Sequence, residues 1–323
     1  MVSPRIGVLR GGPSGEYDVS LQTGAAILKN MPEPYRPVDI LISKDGIWHM
    51  EGYPTEPARI LPHLDAVWNA LHGAYGEDGT VQRILDCFGM PYTGSGALAS
   101  AIGMNKWAAK RRFADTGLRT PYAELISKDE YSDSREMSMR IFKKFPFPFV
   151  VKPYNGGSSL GVIIVRKFDG IAPALREVFL ESNAALIEAY AHGKEATCGV
   201  VDNFRGEDAH ALMPIEIIAP ENVQFFDYGA KYSGETIELC PSPNFTQEEK
   251  KEIERMAVLA HKAIGARHYS RSDFIVSPRG IHILEINTLP GMTEASLLPK
   301  SLAAGGTLFP EFLEHILSLT LQK

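Results

Sequence analysis

The pattern of apolar and polar positions divides the first hundred residues into alternating strands and helices. Short apolar runs predict strands near Ile6 to Leu9, Val38 to Ile42 and Ala66 to Leu71. Helical periodicity predicts helices from about Val19 to Lys29 and from about Thr80 to Phe88. This alternation indicates a parallel sheet flanked by helices, in which ligands gather at the loops that follow the strands.

A second pattern begins after Gly117, where Thr120-Pro121 marks a change of element. The segments FVVKP and GVIIV predict a hairpin joined by a glycine-rich loop from Asn155 to Gly161. The loop matches neither a Walker loop nor a dinucleotide fingerprint. Its backbone amides can nevertheless cradle a phosphate, and its two serines add hydroxyl donors. The alternative interpretation is a long turn.

These patterns predict three domains. Residues 1–100 form an N-terminal α/β domain, and residues 101–190 form a central domain that carries the glycine-rich loop. Residues 191–323 form a C-terminal domain with a helix from about Gln247 to Ile264 and an amphipathic helix near Leu308 to Leu319.

The C-terminal domain contains SRSDFIVSPRGIHILEINTLPG, which predicts a hairpin with the three-residue loop Pro278-Arg279-Gly280. In this register Ser277 faces Ile281. Counting along both strands then pairs Asp273 with Glu285 and Arg271 with Asn287, all on one face because side chains alternate along a strand.

The opposed carboxylates of Asp273 and Glu285 repel each other unless a cation lies between them. Oxygen ligands with room for phosphates and water favour magnesium, whereas zinc prefers histidine or cysteine. The amide oxygen of Asn287 completes a ligand set, and the Arg271 guanidinium can hold a developing phosphoryl charge. The alternative is a solvated hairpin face without a ligand.

Composition excludes several classes of protein. The 323 residues are 44% hydrophobic and 22% charged, which is typical of a globular protein and argues against disorder, collagen or a coiled coil. A net charge of −6 argues against a general nucleic-acid binder. No apolar stretch is long enough for a membrane span and no targeting segment is evident, so we expect a cytoplasmic protein without a membrane partner. Three widely spaced cysteines predict neither a disulfide framework nor a zinc site.

Seven ordered blocks resemble the ATP-grasp superfamily and, more closely, the D-alanine–D-alanine ligase family. The blocks are LRGGPSGEYDVS, LHGAYGEDGTVQ, PYTGSGALASAIGMNK, VVKPYNGGSSLGV, FDYGAKY, SRSDFIV and LEINTLPGMTEASLLP. They cover nearly the whole chain. The resemblance implies an ATP-grasp fold of mixed α/β and α+β class, in which a parallel-sheet domain precedes two α+β domains that sandwich ATP.

The resemblance also implies an activity. Two D-alanines would be joined to D-alanyl-D-alanine for peptidoglycan precursor synthesis, through an acyl phosphate and with release of ADP. We therefore expect D-alanine and ATP as small-molecule substrates and two Mg²⁺ ions, with Mn²⁺ as a substitute. A homodimer is expected because relatives are commonly dimers.

Site residues follow from the matched blocks. The resemblance implies catalytic roles for Glu16, Ser158, Tyr232 and Arg271. It implies substrate contacts by His72, Gly291, Ser296 and Leu297. It implies ATP contacts by Lys106, Lys152, Ser159, Glu188, Tyr190, Ala191, Glu195, Phe225, Lys231 and Leu284. It implies metal ligation by Asp273, Glu285 and Asn287.

The chain departs from the family pattern at two places. Ala189-Tyr190 stands where many relatives carry lysine and tryptophan, and Gly229 stands where glutamate is frequent. Three alternative functions remain: a D-alanine–D-lactate ligase, a nucleotide-binding protein without catalysis, and an ATP-grasp ligase for another acid and amine. Tyr232 disfavours the first, because depsipeptide ligases generally lack it. Retention of all phosphate and metal residues disfavours the second, and the substrate-side residues Glu16, Tyr232 and Ser296 disfavour the third.

Overall fold

The computed structural model describes residues 3–131, 135–157, 161–219 and 236–322. Its strands are β1 Arg5–Gly11, β2 Arg36–Ile42, β3 Trp48–Met50, β4 Tyr53–Pro54, β5 Ala66–Asn69, β6 Ala123–Ser127, β7 Phe149–Pro153, β8 Ile163–Val165, β9 Ala184–Ala189, β10 Lys194–Phe204, β11 Glu207–Ala211, β12 Ile215–Ile218, β13 Ile237–Leu239, β14 Tyr269–Ser277 and β15 Gly280–Asn287. Its α-helices are α1 Tyr17–Asn30, α2 Pro57–Ile60, α3 Thr80–Cys87, α4 Ala97–Met104, α5 Lys106–Asp115, α6 Arg135–Lys144, α7 Ile171–Glu181, α8 Gln247–Ala263, α9 Leu297–Ala304 and α10 Phe309–Leu321. Short 3-10 helices lie at Leu61–His63, Lys128–Glu130 and Phe168–Gly170. None of these helices combines the length and the apolar character needed to cross a membrane.

The first sheet has the strand order β4-β3-β2-β1-β5. Strand β1 pairs in parallel with β2 and β5, which confirms the predicted parallel sheet. Its residues Ile6, Val8 and Leu9 are fully buried because both faces of a parallel sheet are covered. Strands β3 and β4 pair antiparallel at the edge and were not predicted.

The second sheet has the order β6-β9-β7-β8 and is antiparallel throughout. The pairing of β7 with β8 confirms the predicted hairpin around the glycine-rich loop. Phe149, Val151 and Ile187 belong to the core that this sheet shares with α6 and α7. Lys152 and Glu188 lie at the alternate strand positions and so belong to the opposite face.

The third sheet has the order β13-β12-β10-β14-β15, with β11 paired to β10. Cys198, Phe274 and Ile283 pack in one core with residues of α5 and α8. Thr197 and Asp273 are directly paired across β10 and β14 on the opposite face. The three sheets confirm the predicted mixture of α/β and α+β layers, while the domain limits of 1–100, 101–190 and 191–323 stay predictions.

The chain end returns to the first sheet. Phe312 of α10 is fully buried in one cluster with Ile6 and Trp68. The C-terminal helix therefore completes the core of the N-terminal sheet.

His268 links the third sheet to the N-terminal part of the chain. Its Nδ1 accepts a hydrogen bond of 3.1 Å from the Gly94 backbone N–H, and its own N–H donates to Asp202 Oδ2 at 2.6 Å. The residue has a φ of 65°, in the left-handed region. Burial, together with the nearby positive charge of Arg267, lowers the pKa of His268 to about 4.

Candidate active site

The acidic hairpin has the predicted cross-strand pairs but a different turn. Asp273 pairs with Glu285 and Arg271 pairs with Asn287, as the sequence predicted. The predicted three-residue loop is wrong, because Ser277 pairs with Gly280 and only Pro278 and Arg279 lie between them. Gly280 has a φ of 118°, a conformation that glycine adopts without strain.

A β-bulge restores the predicted pairing. The register shifts between Asp273 and Phe274, since Phe274 pairs with Ile283 whereas Asp273 pairs with Glu285. Leu284 is therefore the extra residue on β15. Ile283 and Ile286 lie in the core on one side, while Leu284 and Glu285 both line the cleft on the other. Without the bulge Glu285 would face the core.

Basic side chains neutralise both carboxylates. Arg271 donates two hydrogen bonds to Asp273, of 3.0 Å from Nε and 2.9 Å from Nη2. Lys106 Nζ lies 2.6 Å from Glu285 Oε2. Burial by itself lowers the pKa of Arg271, but Asp273 and Glu285 outweigh it and raise that pKa. The guanidinium is thus held charged beside the acidic pair.

The donor set of this face fits a hard divalent cation. Asp273, Glu285 and Asn287 present carboxylate and amide oxygens on one face of β14 and β15. Thr197 Oγ1 donates to Asp273 Oδ1 at 2.6 Å, and Asn287 Oδ1 accepts from the Leu289 N–H at 2.8 Å. These bonds orient the oxygens, as outer contacts of metal ligands commonly do.

A cleft between the second and third sheets gathers the residues predicted to contact ATP. Its lining includes Lys106, Lys152, Glu188, Tyr190, Ala191, Glu195 and Leu284, together with Asp273 and Glu285. The glycine-rich loop contributes Gly156 and Gly157 to the same wall. Asn105 caps α5 by accepting from the Ala108 N–H at 3.0 Å, which places Lys106 at the first helical position.

A buried ion cluster joins Glu188 and Lys152, which line the cleft, to Lys110, which lies behind this lining. Lys110 Nζ donates to Glu188 Oε1, and Lys152 Nζ forms an ion pair with Glu188 Oε2. Burial by itself raises the pKa of Glu188, but the two lysines outweigh it and lower that pKa. Lys110 was not among the predicted residues, although its spacing of four from Lys106 places both on one helix face.

A second cavity gathers the residues predicted to contact the amino-acid substrates. Its lining includes Glu16, His72, Arg271, Glu285, Asn287, Gly291, Ser296 and Leu297. It shares Lys106, Gly156, Gly157 and Glu285 with the cleft between the second and third sheets. The two cavities therefore meet at one wall, which carries a cation, a carboxylate and the glycine-rich loop.

Glu16 precedes α1 and lies between two glycine backbones. A methyl group added at Gly157 would lie 2.8 Å from Glu16 Oε1, and one added at Gly73 would lie 3.2 Å from it. The Glu16 N–H donates to Ser14 Oγ at 3.1 Å. The carboxylate thus contacts both the loop that follows β5 and the glycine-rich loop of the second sheet.

His72 is buried close to Glu16, and Ser14 Oγ donates to the His72 backbone carbonyl. Its Nε2 lies 2.9 Å from Thr23 Oγ1, and its Nδ1 lies 3.4 Å from Glu77 Oε1. These contacts fix the imidazole ring at the cavity wall. Glu77 also lines the cavity, and the sequence did not single it out.

Ser296 and Leu297 lie at the start of α9. Ser296 Oγ accepts from the Thr293 N–H at 3.2 Å, and a methyl group added at Gly291 would lie 2.8 Å from that Oγ. The first N–H groups of a helix lack helical partners and attract anions. This end of the cavity therefore suits a carboxylate.

Five predicted site residues lie outside the described residues. They are Ser158, Ser159, Phe225, Lys231 and Tyr232.

Two family models match the chain. The model described as D-ala D-ala ligase C-terminus matches residues 113–318, and the one described as D-ala D-ala ligase N-terminus matches residues 53–95. The D-alanine--D-alanine ligase of Pelotomaculum thermopropionicum is 36% identical over 98% of this chain and 97% of its own. That of Geobacter sulfurreducens is 38% identical over 97% of this chain and 93% of its own.

Solved structures with related sequences have the same fold. The D-alanine--D-alanine ligase of Bacillus anthracis is 35% identical, with a TM-score of 0.81 over 99% of this chain and 98% of that one. A structure of a B. anthracis D-alanine--D-alanine ligase complexed with ATP is 32% identical, with a TM-score of 0.78 over 99% and 97%.

Proposed function

Because this chain belongs to the D-alanine–D-alanine ligase family, we propose how its two cavities carry out the reaction of that family. The enzyme is an ATP-dependent ligase that joins two D-alanines for peptidoglycan precursors. The carboxylate of the first D-alanine attacks the γ-phosphate of ATP, which forms an acyl phosphate and expels ADP. The amine of the second D-alanine then attacks the acyl carbon, which forms the peptide bond and expels phosphate.

The proposal rests on the wall that the two cavities share. Phosphoryl transfer depends mainly on positioning and on cations that meet the phosphate charge. Lys106 and Lys152 supply fixed positive charge at the nucleotide cleft, and Lys106 also lines the substrate cavity. A γ-phosphate in the cleft would then face a carboxylate in the cavity. The adenine would lie near Tyr190, Ala191 and Leu284. Phe225, which lies outside the described residues, would also contact the base.

The amino-acid subsites occupy opposite ends of the second cavity. Glu16 receives the ammonium group of the first D-alanine, and His72 lies near the same subsite. Ser296 and the Leu297 N–H hold the carboxylate of the second D-alanine, beside the Gly291 backbone. Arg271 holds the negative charge that develops at the reacting carbonyl, since a guanidinium binds an oxyanion through parallel hydrogen bonds.

The remaining contacts come from Ser158, Ser159, Lys231 and Tyr232. Ser158 and Tyr232 would join Glu16 in one hydrogen-bonded set. Ser159 and Lys231 would contact the phosphates. A closed site of this kind protects an acyl phosphate from water.

Two Mg²⁺ ions, for which Mn²⁺ is a substitute, would be held by Asp273, Glu285 and Asn287. When bound, these ions neutralise phosphate charge and polarise its oxygens. Hydrogen bonds from Thr197 to Asp273 and from the Leu289 N–H to Asn287 would orient the ligand oxygens before the ions bind. Glu195 lines the cleft near the expected position of the ribose.

We also propose a homodimer located in the cytoplasm, where ATP and D-alanine are both present. The net charge of −6 argues against nucleic acid as a partner.

The test is product identification. The protein is incubated with ATP, Mg²⁺ and D-alanine, L-alanine, D-serine or D-lactate, singly and in pairs, and the products are identified by mass spectrometry. We expect D-alanyl-D-alanine and ADP from D-alanine alone, with little further product from D-lactate at neutral pH. A depsipeptide as the main product would refute the assignment.

The variant Asp273→Asn tests the metal site, because it preserves the shape of the side chain but removes one carboxylate charge. It should abolish ligation while the circular dichroism spectrum stays native. Unchanged turnover would refute the metal assignment.

A further inference from the structure

Lys110 is a buried charged residue that pairs with the cleft-lining Glu188 and has no assigned role in the reaction. It lies in α5, four residues after Lys106, and only 3% of its surface is exposed. Its Nζ donates to Thr120 Oγ1 at 2.5 Å and also to Glu188 Oε1. Burying an ammonium group is costly unless it is paired. The pairing shows that Lys110 is held in one position.

Glu188 connects Lys110 to the phosphate-binding side. Glu188 pairs with Val150 across β9 and β7, so Lys152 is its diagonal neighbour on the same face. One carboxylate oxygen of Glu188 contacts Lys110, and the other contacts Lys152. Both oxygens are therefore occupied by different ammonium groups.

Because each oxygen of Glu188 pairs with a different lysine, Lys110 affects where the Lys152 ammonium lies. A buried carboxylate requires partners for both oxygens. If Lys110 were absent, both oxygens of Glu188 would be open to Lys152 and would hold its ammonium more tightly against the carboxylate. Burial also lowers the pKa of Lys110, and the charge of Glu188 opposes that effect.

We infer that Lys110 is a positioning residue of the nucleotide site, which holds one oxygen of Glu188 so that the Lys152 ammonium stays available to the nucleotide phosphates. The inference rests on the proposed function, because it takes the cleft as the nucleotide site. Lys110 itself does not contact the nucleotide in this arrangement. Its effect passes through Glu188.

A double-mutant cycle tests this route, with ADP affinity measured by calorimetry in the presence of Mg²⁺. Lys110→Met should weaken ADP binding about tenfold, because Glu188 then holds the Lys152 ammonium more tightly. In a Glu188→Gln background, the same Lys110→Met change should alter ADP affinity less than twofold. An equal loss in both backgrounds would overturn the inference, and so would an unchanged affinity in Lys110→Met.

Further variants separate positioning from a general structural role. Lys110→Arg keeps the charge and should retain most of the ADP affinity, whereas a loss as large as that of Lys110→Met would count against the inference. The KM for D-alanine in Lys110→Met should stay within twofold of wild type. A comparable rise in that KM would indicate a general structural effect.

Two outcomes keep the inference separate from the proposed function. If the wild-type chain does not bind ADP, the proposed function fails. If it binds ADP but the cycle is additive, only the inference fails. If the variants do not fold, a crystal structure of the wild-type protein with ADP provides the test. The inference requires that Lys110 stays hydrogen-bonded to Glu188 while Lys152 contacts a phosphate. Any other arrangement overturns it.

Discussion

Replacement of His268 by asparagine should reduce the loss of stability at acid pH. His268 is the link between Gly94 and the third sheet, and its imidazole Nδ1 must be unprotonated to accept the Gly94 N–H. Asparagine offers a side-chain oxygen as acceptor and tolerates the φ of 65° found here. His268→Asn therefore removes the titration while preserving the contact and the backbone conformation.

The magnitude follows from the two pKa values. Burial and Arg267 lower the pKa of folded His268 to about 4, against 6.5 for an ordinary histidine, while Asp202 partly opposes this shift. His261 and His315 also face the ring and lower its pKa slightly. The unfolded chain therefore binds the proton more readily, and stability falls as pH falls from 6.5 towards 4. Linkage gives a loss of about 2 kcal/mol between pH 7 and pH 5 from this residue alone.

Urea unfolding at pH 7 and pH 5 provides the measurement. Other acidic groups also titrate in this range, so the quantity compared is the difference in pH dependence between wild type and His268→Asn. We expect the variant to lose about 2 kcal/mol less than wild type. Replacing the exposed His63 by asparagine is the matched control and should reproduce the wild-type dependence. Equal losses in wild type and His268→Asn would refute the reasoning.

Three further changes probe the site. Thr197→Val removes the hydrogen bond to Asp273 and should raise the Mg²⁺ concentration for half-maximal ADP release about tenfold. Gly157→Ala would place a methyl group 2.8 Å from Glu16 Oε1, so the KM for D-alanine should rise about tenfold as the carboxylate shifts. Ser296→Ala removes a donor at the second subsite and should raise the KM of the second D-alanine about tenfold, measured from the biphasic dependence on D-alanine.

Two of these changes have a matched control. Thr197→Ser keeps the hydroxyl and should show the wild-type Mg²⁺ response. A wild-type response in Thr197→Val would show that the Thr197 hydroxyl does not influence metal binding. Gly15 has open space around its α-carbon, so Gly15→Ala should leave the KM for D-alanine unchanged. If Gly157→Ala behaves like Gly15→Ala, Glu16 does not lie where the proposal requires it.

The hairpin shows how far local patterns lead. The pairs of Asp273 with Glu285 and of Arg271 with Asn287 were predicted from a loop that is one residue too long. The observed turn is one residue shorter than the predicted loop, and the bulge adds one residue to β15. The two deviations therefore cancel. The sequence contains a signal for this bulge, because the core isoleucines 281, 283 and 286 are spaced by two and then by three.

Other features depend on contacts between distant parts of the chain. Local periodicity predicts α10 as an amphipathic helix but cannot show that Phe312 packs against Ile6 and Trp68. Lys110 looks like one more basic residue in KWAAKRRF until Glu188 is brought beside it. Each member of such an ion pair is an ordinary polar residue in its own segment, so only the fold identifies the pair.

The bulge at Leu284 also makes β15 sensitive to the deletion of a single residue. On either side of it the strand follows opposite parity, with odd-numbered isoleucines in the core before Leu284 and Ile286 in the core after it. Deleting this one leucine would leave Asp273, Glu285 and Asn287 in the chain, yet it would turn Glu285 and Asn287 towards the hydrophobic core. In family comparisons, a gap at this position would therefore mark loss of function even where all three predicted metal ligands are retained.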